Sequence, residues 1–459
     1  MQKKIIKRIF IILAISAAAL QVGVSGQGPA TDLSSQANLV TEFDVNGMKV
    51  LVKRRPNSAT VAAGLFFRGG TKNLTPQNAG IESFALNVAT EGSAAFPRIA
   101  LRRELASTGS NISAGANYDY SAIALATTRE NFDRSWNVFV DVALHPAFVP
   151  EDVELTREKI LTALRDDEDD PDGFLQVLVN RTINAKTPYA NDPSGTIETI
   201  TKFKAADLRA YHQSMLQASR LLLVIVGDLD AAALKKRITD SFGKLPRGNY
   251  KDTPSPGFDF SKPTLDVTQR ALPTNYVQGI FSAPSISSPD FFAMRVATTI
   301  LRDRVFEEVR VKRNLSYAPN ADMGNLAANT GNIYVSAVDA NQAIRVMLDE
   351  INKLKTTAVD PADISGVAGQ FLTTYFIGQE TNAAQAAELA RYELIGGGWR
   401  NSFQFLNRVR EVKPADVQAV AKKYINNIRF VVLGNPTSID RAIFLQAQPA
   451  TGGPVALRF

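Results

Sequence analysis

Phe66-Phe-Arg-Gly-Gly-Thr-Lys-Asn-Leu-Thr-Pro-Gln-Asn-Ala-Gly-Ile-Glu82 runs from an apolar stretch through a loop rich in Gly, Pro and Asn, and Ser83-Phe-Ala-Leu-Asn-Val-Ala-Thr-Glu91 carries it onward. Ile81, Phe84, Ala85 and Val88 recur at helical spacing, so Gly80 to Glu91 is predicted to be an amphipathic helix entered from a strand. Upstream, Val50-Leu-Val-Lys53 and Thr60-Val-Ala-Ala-Gly-Leu-Phe-Phe67 are β-like runs separated by a turn at Pro56-Asn57-Ser58. Downstream, Ser121 to Thr128 reads as a strand, Asn131 to Leu144 as an amphipathic helix, and Pro150 to about Asp169 as a longer helix started by Pro150-Glu-Asp. Leu221-Leu-Leu-Val-Ile-Val-Gly-Asp228 reads as a buried strand ending in a turn, followed by a helix from Ala231 to Phe242. Strands and helices in this order form an α+β layer pattern.

Between Pro246 and Leu272 the composition shifts to Pro, Gly, Lys and Asp, which predicts a linker over 246–272. The order of elements then restarts. Val277 to Ser282 is a strand, Asp290 to Val309 a helix and Gly331 to Val338 a strand. Helices follow at Ala340 to Leu354, Pro361 to Gly378 and Glu380 to Gly396. Arg429-Phe-Val-Val-Leu-Gly-Asn435 repeats the strand-then-glycine ending of Leu221 to Asp228. Two halves with one order of elements suggest duplication, with domains over 36–245 and 273–445.

The chain opens with Lys3, Lys4, Lys7 and Arg8, an apolar run from Ile9 to Leu20 and small residues beyond, the layout of a signal peptide over residues 1–27. The expected location is therefore exported, the periplasm first. An uncleaved leader, the one expected membrane contact, remains the alternative. The formal charge of +6 owes four of its 51 basic residues to this leader; without them 47 oppose 45 acids. Interspersed charges of near balance are no nucleic-acid footprint. With no cysteine in the chain, disulfides, thiolate metal sites and a cysteine nucleophile are excluded. No G-x-S-x-G elbow or phosphate-cradling Gly-Lys-Ser/Thr loop occurs. The two histidines, His145 and His212, form no pair at helical spacing and are read as structural. The acidic run Asp166 to Asp170 is consecutive rather than spaced like a calcium loop, and is read as a solvated helix end.

Taken as an ordered set, the Phe66–Glu82 stretch, Glu168-Asp-Asp-Pro171, Thr187-Pro-Tyr-Ala190, Gly195-Thr-Ile-Glu-Thr-Ile200, Ala206-Asp-Leu-Arg-Ala-Tyr211 and Val224-Ile-Val-Gly-Asp-Leu-Asp230 resemble insulinase/pitrilysin-type zinc peptidases over roughly residues 38 to 445. The resemblance implies two homologous α/β-layer domains, each a mainly antiparallel sheet packed with helices, together half of a clamshell. In such peptidases an H-x-x-E-H helix supplies two zinc ligands and the group that activates water, and a later helix supplies a third ligand. Carried over position by position, Ser83 and Asn87 stand at the histidines, Leu86 at the catalytic glutamate and Ala163 at the third ligand. Leu and Ala neither ligate nor move protons, and Ser and Asn are poor zinc ligands. No metal and no catalytic residue is therefore expected in this chain.

Val305-Phe-Glu-Glu-Val-Arg-Val-Lys-Arg-Asn-Leu-Ser-Tyr-Ala318 resembles the family's second-domain motif, in which an Arg and a Tyr seven positions on contact the bound peptide. Arg310 and Tyr317 fill those positions. The resemblance, to divided bacterial members and to mitochondrial processing peptidases alike, implies a substrate-orienting subunit. Its partner would be a homologous H-x-x-E-H subunit carrying the zinc, and its substrate an unfolded peptide. Two other readings stay open: a catalytically dead peptide-binding or assembly protein, and a homodimer without a catalytic partner.

Overall fold

Leu221–Gly227 is buried at every position, and the first sheet is built around it. The computed structural model describes residues 34–254 and 257–446, so the leader expected over 1–27 lies outside the described residues. The first sheet comprises β1 (Val40–Val45), β2 (Met48–Arg54), β3 (Thr60–Arg68), β4 (Asn111–Ala116), β5 (Tyr120–Thr128) and β6 (Leu221–Gly227), in the order β1-β2-β6-β3-β5-β4. β6 runs parallel to β2 and antiparallel to β3, with Leu223 opposite Val50 on one side and Leu65 on the other. A strand flanked on both edges and covered on both faces needs a continuous apolar run, which Leu221 to Val226 supplies. The helices of this half are α1 (Ser34–Ala37), α2 (Ile81–Ala89), α3 (Arg98–Thr108), α4 (Phe132–Leu144), α5 (Pro150–Asp169), α6 (Pro171–Asn184), α7 (Ile197–Lys202), α8 (Ala205–Met215) and α9 (Ala231–Phe242).

The second sheet contains β7 (Thr264–Gln269), β8 (Asn275–Ala283), β9 (Asn320–Met323), β10 (Asn329–Ala337) and β11 (Arg429–Gly434), in the order β7-β11-β8-β10-β9. Among the described residues its only parallel pair is β7 with β11. Strand for strand this order repeats β2-β6-β3-β5-β4, parallel pair included, so the duplication suggested by the element order is present in the topology. Around it lie α10 (Phe291–Val305), α11 (Ala340–Thr356), α12 (Pro361–Gly378), α13 (Asn382–Ile395), α14 (Phe405–Arg410), α15 (Pro414–Tyr424) and α16 (Arg441–Phe444).

Two sequence expectations change. The stretch 246–272 is not linker throughout, because Thr264–Gln269 forms edge strand β7; only Leu265 on it is fully buried, too little apolar signal to stand out beside Pro and Gly. The helix expected from Asp290 to Val309 is α-helical to Val305 and then widens into a π-turn over Phe306–Val311, with Lys312 N–H donating to the Glu307 carbonyl five residues back.

The two halves exchange helices. Leu175, Val179 and Ile183 on α6, from the first half, pack on Ile280, Val431 and Leu433 of the second sheet. In return, Ala386, Leu389 and Ala390 on α13 pack with Trp399 and Phe403 on Leu51, Phe66, Leu222, Val224 and Val226 of the first sheet. Polar contacts fix the same junction. The Tyr189 hydroxyl and the Ala327 N–H both donate to buried Asp119, at 2.6 and 2.9 Å, and Trp399 Nε1 donates to Glu42 at 2.7 Å.

Candidate functional site

α2 begins at Gly80, whose φ of 84° lies in the left-handed region and whose missing Cβ lets it approach Gly195 closely; a Cβ there would sit 2.5 Å from the Gly195 Cα. Only glycine meets both demands. From this start the helix buries two faces. Ile81, Phe84, Ala85 and Val88 join a cluster with Val153 and Leu161 of α5 and Leu208 of α8. Leu86 and Ala89 point the other way, into the core under the first sheet with Phe67 and Trp136. Arg157 of α5 packs over the Phe84 ring and donates to the carbonyls of Ile200 and Phe203, holding α5 against α2.

This geometry places the four positions that the resemblance assigns to the zinc centre. Ser83 and Asn87 lie one turn apart and half-buried, and they engage each other: Asn87 Nδ2 donates to the Ser83 carbonyl at 2.8 Å and to its Oγ at 3.4 Å. Leu86 is wholly inaccessible, and its hydrocarbon side chain can neither activate a water nor move a proton. Ala163 is exposed on α5. Two weak oxygen or amide donors and two hydrocarbon side chains do not fit a zinc ion. Among the described residues no cluster of three or more His, Cys, Asp or Glu is arranged to hold a metal.

Immediately beside Ser83 stands a network that the sequence reading missed. Glu82 is 2% exposed. Its carboxylate accepts from Ser121 Oγ at 2.5 Å, from the Tyr211 hydroxyl at 2.7 Å and from Arg220 Nη2 at 2.7 Å. Arg220 also donates through Nε to the Arg68 carbonyl at 3.2 Å. Burial, with Glu82 beside it, pushes the Tyr211 phenol above its usual range. The sole sequence signal was an acid in the first turn of a helix that is otherwise apolar there, where the helix dipole favours it; its partner Arg220 is 138 residues away.

In the second half, α10 follows β8 as α2 follows β3, and its end carries the other predicted pair. Val309 is buried, which anchors the π-turn, while the following loop brings Tyr317 back over Arg310. The Arg310 guanidinium lies 4.1 Å from the centre of the Tyr317 ring and 5.0 Å from that of Phe306. Tyr317 is 79% exposed. Such stacking orients the guanidinium edge without using its N–H donors. Beside the pair, the Glu308 carboxyl is pushed down to about 2 by hydrogen bonds from Lys312 and Arg313. The structure thus brings Ser83 to Asn87 and Arg310 to Tyr317; among the described residues no hydrogen bond or ring contact joins the two groups.

His145 ends α4 and is exposed. His212 is buried, its Nε2 bonded to the Ala143 carbonyl at 3.0 Å and its ring set edge-on to Phe148. The acidic run is the corner between α5 and α6, where Asp170 caps Gly173 N–H at 2.8 Å and Arg270 reaches the carbonyls of Glu168 and Asp169.

The sequence profile described as "Insulinase (Peptidase family M16)" matches residues 49–196, and that described as "Peptidase M16 inactive domain" matches residues 202–371. An uncharacterized zinc protease of Mycobacterium tuberculosis is 20% identical over 417 residues, 88% of this chain and 95% of its own. A protease from Helicobacter pylori superposes with a TM-score of 0.78 at 16% identity, covering 86% of this chain and 99% of that one. The first half of the periplasmic protease PqqL from Escherichia coli superposes with a TM-score of 0.71 at 15% identity, covering 92% and 98%. Against the whole of PqqL the match still covers 92% of this chain but 51% of that one.

Proposed function

Because the chain belongs to the insulinase family, peptidase family M16, we propose that it is the non-catalytic, substrate-orienting subunit of an exported, heterodimeric zinc peptidase acting on unfolded peptides. One observation carries the reading: an emptied ligand set on α2 coexists with an exposed, stacked Arg310–Tyr317 pair at the matching end of α10. An exposed tyrosine stacked on a guanidinium leaves its hydroxyl and the guanidinium edge available to a bound peptide.

In this reading Arg310 N–H groups and the Tyr317 hydroxyl donate to the backbone carbonyls of an extended peptide. They hold it in register and stabilise negative charge that develops on the scissile carbonyl oxygen. The metal and the proton-transferring carboxylate come from a homologous H-x-x-E-H subunit. The length of PqqL supports this division, since one PqqL chain spans about two lengths of this one. The periplasmic place named for PqqL, together with the leader layout of residues 1–27, supports export to the periplasm.

The test is co-expression with an H-x-x-E-H homologue from the same genome, measuring cleavage of an unstructured fluorogenic peptide by each protein alone and by the mixture. Only the mixture is expected to cleave well. Arg310→Ala or Tyr317→Phe in the mixture is expected to lower kcat/KM by about 100-fold, the scale of losing one transition-state donor. If the homologue is equally active alone, or no mixture cleaves, the chain is instead a peptide-binding or assembly protein on the same scaffold.

A further inference from the structure

Away from α2 and the Arg310–Tyr317 pair, a cavity of about 320 Å³ opens between α10, α12 and α13. Three arginines line it: Arg295 and Arg302 from α10, and Arg391 from α13. The lining contains one acid, Glu388. Arg391 pairs with Glu388, and its Nη1 meets the Asn325 amide oxygen at 3.2 Å. The other two arginines find their carboxylates outside the lining. Arg295 reaches Asp322, 62% exposed, at 3.4 Å, and Arg302 reaches Asp303 at 3.0 Å. Arg295 Nη1 also donates to the Met323 carbonyl, and Arg302 Nη2 to Gln370 Oε1.

Within the lining itself three guanidinium groups thus face one carboxylate, the partners of Arg295 and Arg302 lying outside it. Burial raises the Glu388 carboxyl above its usual range, against the opposing pull of Arg391. Burial, and after it the nearby charges of Arg391 and Arg302, push the Arg295 guanidinium down, against the opposing pull of Asp322. Arg391 Nε is buried and has no hydrogen-bond partner among the described residues. A buried donor left unmade is costly. The lining also includes the aromatic rings of Phe371 and Tyr375 from α12 and Tyr392 from α13, among small and amide side chains. Beyond the mouth, α12 carries Phe376 and Ile377 at 42% and 62% exposure.

We propose that this cavity is a binding site for a carboxylate attached to an apolar group, the acid seated among Arg295, Arg302 and Arg391 and the apolar group against Phe371, Tyr375 and Tyr392. A guanidinium cluster matches the planar, bidentate geometry of a carboxylate. The volume lies at the small end of ligand cavities, the size of one aromatic residue rather than of a cofactor. Two sources present this chemistry: a small apolar acid, and the C-terminal residue of a peptide. The inference stands on the lining of the cavity alone and is independent of the chain's part in a peptidase.

Calorimetric titration of the purified chain tests it. The probes are N-acetyl-phenylalanine, its amide, a pentapeptide ending in Phe with a free or an amidated C-terminus, and inorganic phosphate. At least one free acid is expected to bind about tenfold or more tightly than its amide, the scale of a charge-assisted contact. Saturation by N-acetyl-phenylalanine alone assigns the site to small acids, and equal or tighter peptide binding assigns it to peptide C-termini. Arg391→Gln is expected to weaken the acid about tenfold and to leave the amide unchanged. Should that variant fail to fold, Arg302→Gln, at the more exposed rim, is expected to weaken the acid in the same direction. Equal binding of acid and amide, no binding of either acid at millimolar concentration, or phosphate binding as tightly as the acids would overturn the proposal.

Discussion

Glu82 accepts three hydrogen bonds in a space with almost no water, and one comes from a guanidinium that is itself 5% exposed. Such a pair contributes little net stability over an apolar pair of the same shape, because both charges were stripped of water. Breaking it is another matter. Glu82→Ala leaves Arg220 buried without its counter-charge and is expected to cost about 3–5 kcal/mol of unfolding free energy. Glu82→Ala combined with Arg220→Met should recover most of that loss; urea unfolding of the two variants measures both. His212 supplies a pH dependence of known sign. Burial lowers its folded pKa to about 4 from 6.5. The folded ring stays neutral while the unfolded chain takes up a proton, so the stabilising effect is complete above pH 6.5 and is lost as the pH falls towards 4. The full loss is roughly 3 kcal/mol. In His212→Gln the part of the decline between pH 7 and 4.5 owed to this ring should vanish, as urea titrations at both pH values would register.

Among the elements, α6 and α13 do what their amphipathicity alone does not specify, since each covers the sheet of the other half. Both helices bury leucines at the crossing: Leu175 is 1% and Leu389 2% exposed. Leu175→Ala and Leu389→Ala are each expected to cost about 2–5 kcal/mol, the loss of a buried side chain plus the cavity it leaves. Trp136 and Trp399 are the only tryptophans in the chain, one in the core under the first sheet and the other at the junction. In Trp136→Phe and Trp399→Phe backgrounds the remaining indole reports one region each. Both leucine substitutions should move the two fluorescence transitions together; separate shifts would mean that the exchanged helices do not couple the halves. The π-turn after α10 belongs to the same scale. Its residues continue a helical pattern in sequence, and the widening shows only in the backbone, where Lys312 N–H donates to the Glu307 carbonyl. Such widenings cluster at functional positions.

As a whole the molecule is two copies of one layered unit with matching strand orders, bound by an exchange of helices and by polar contacts such as those to Asp119. Duplication gives α2 and α10 equivalent places, and the two have diverged in opposite directions. On α2 the positions that the resemblance assigns to the histidines and the catalytic glutamate hold Ser83, Asn87 and Leu86, with Leu86 sealed into the core. At the end of α10 an Arg–Tyr pair is held open to solvent. This asymmetry is the premise of the proposed pairing with a zinc-bearing subunit.

The amino-acid sequence was enough for the order of elements, the repeat of that order and the side-chain chemistry at the three ligand positions and the one catalytic position that the resemblance assigns. Each of these is a local property: a period, a glycine at a turn, the identity of an atom that can or cannot bind a metal. Arg310 and Tyr317 were marked by the resemblance of Val305–Ala318 to the family's second-domain motif. Tertiary structure alone decided that β7 completes the second sheet, that α6 and α13 trade partners, that Glu82 meets Arg220, and that Arg295, Arg302 and Arg391 surround one cavity. These contacts join residues from distant parts of the chain. Charge and apolarity at one position do not encode which remote position will neutralise or cover them; that depends on how whole faces of helices and sheets fill space together.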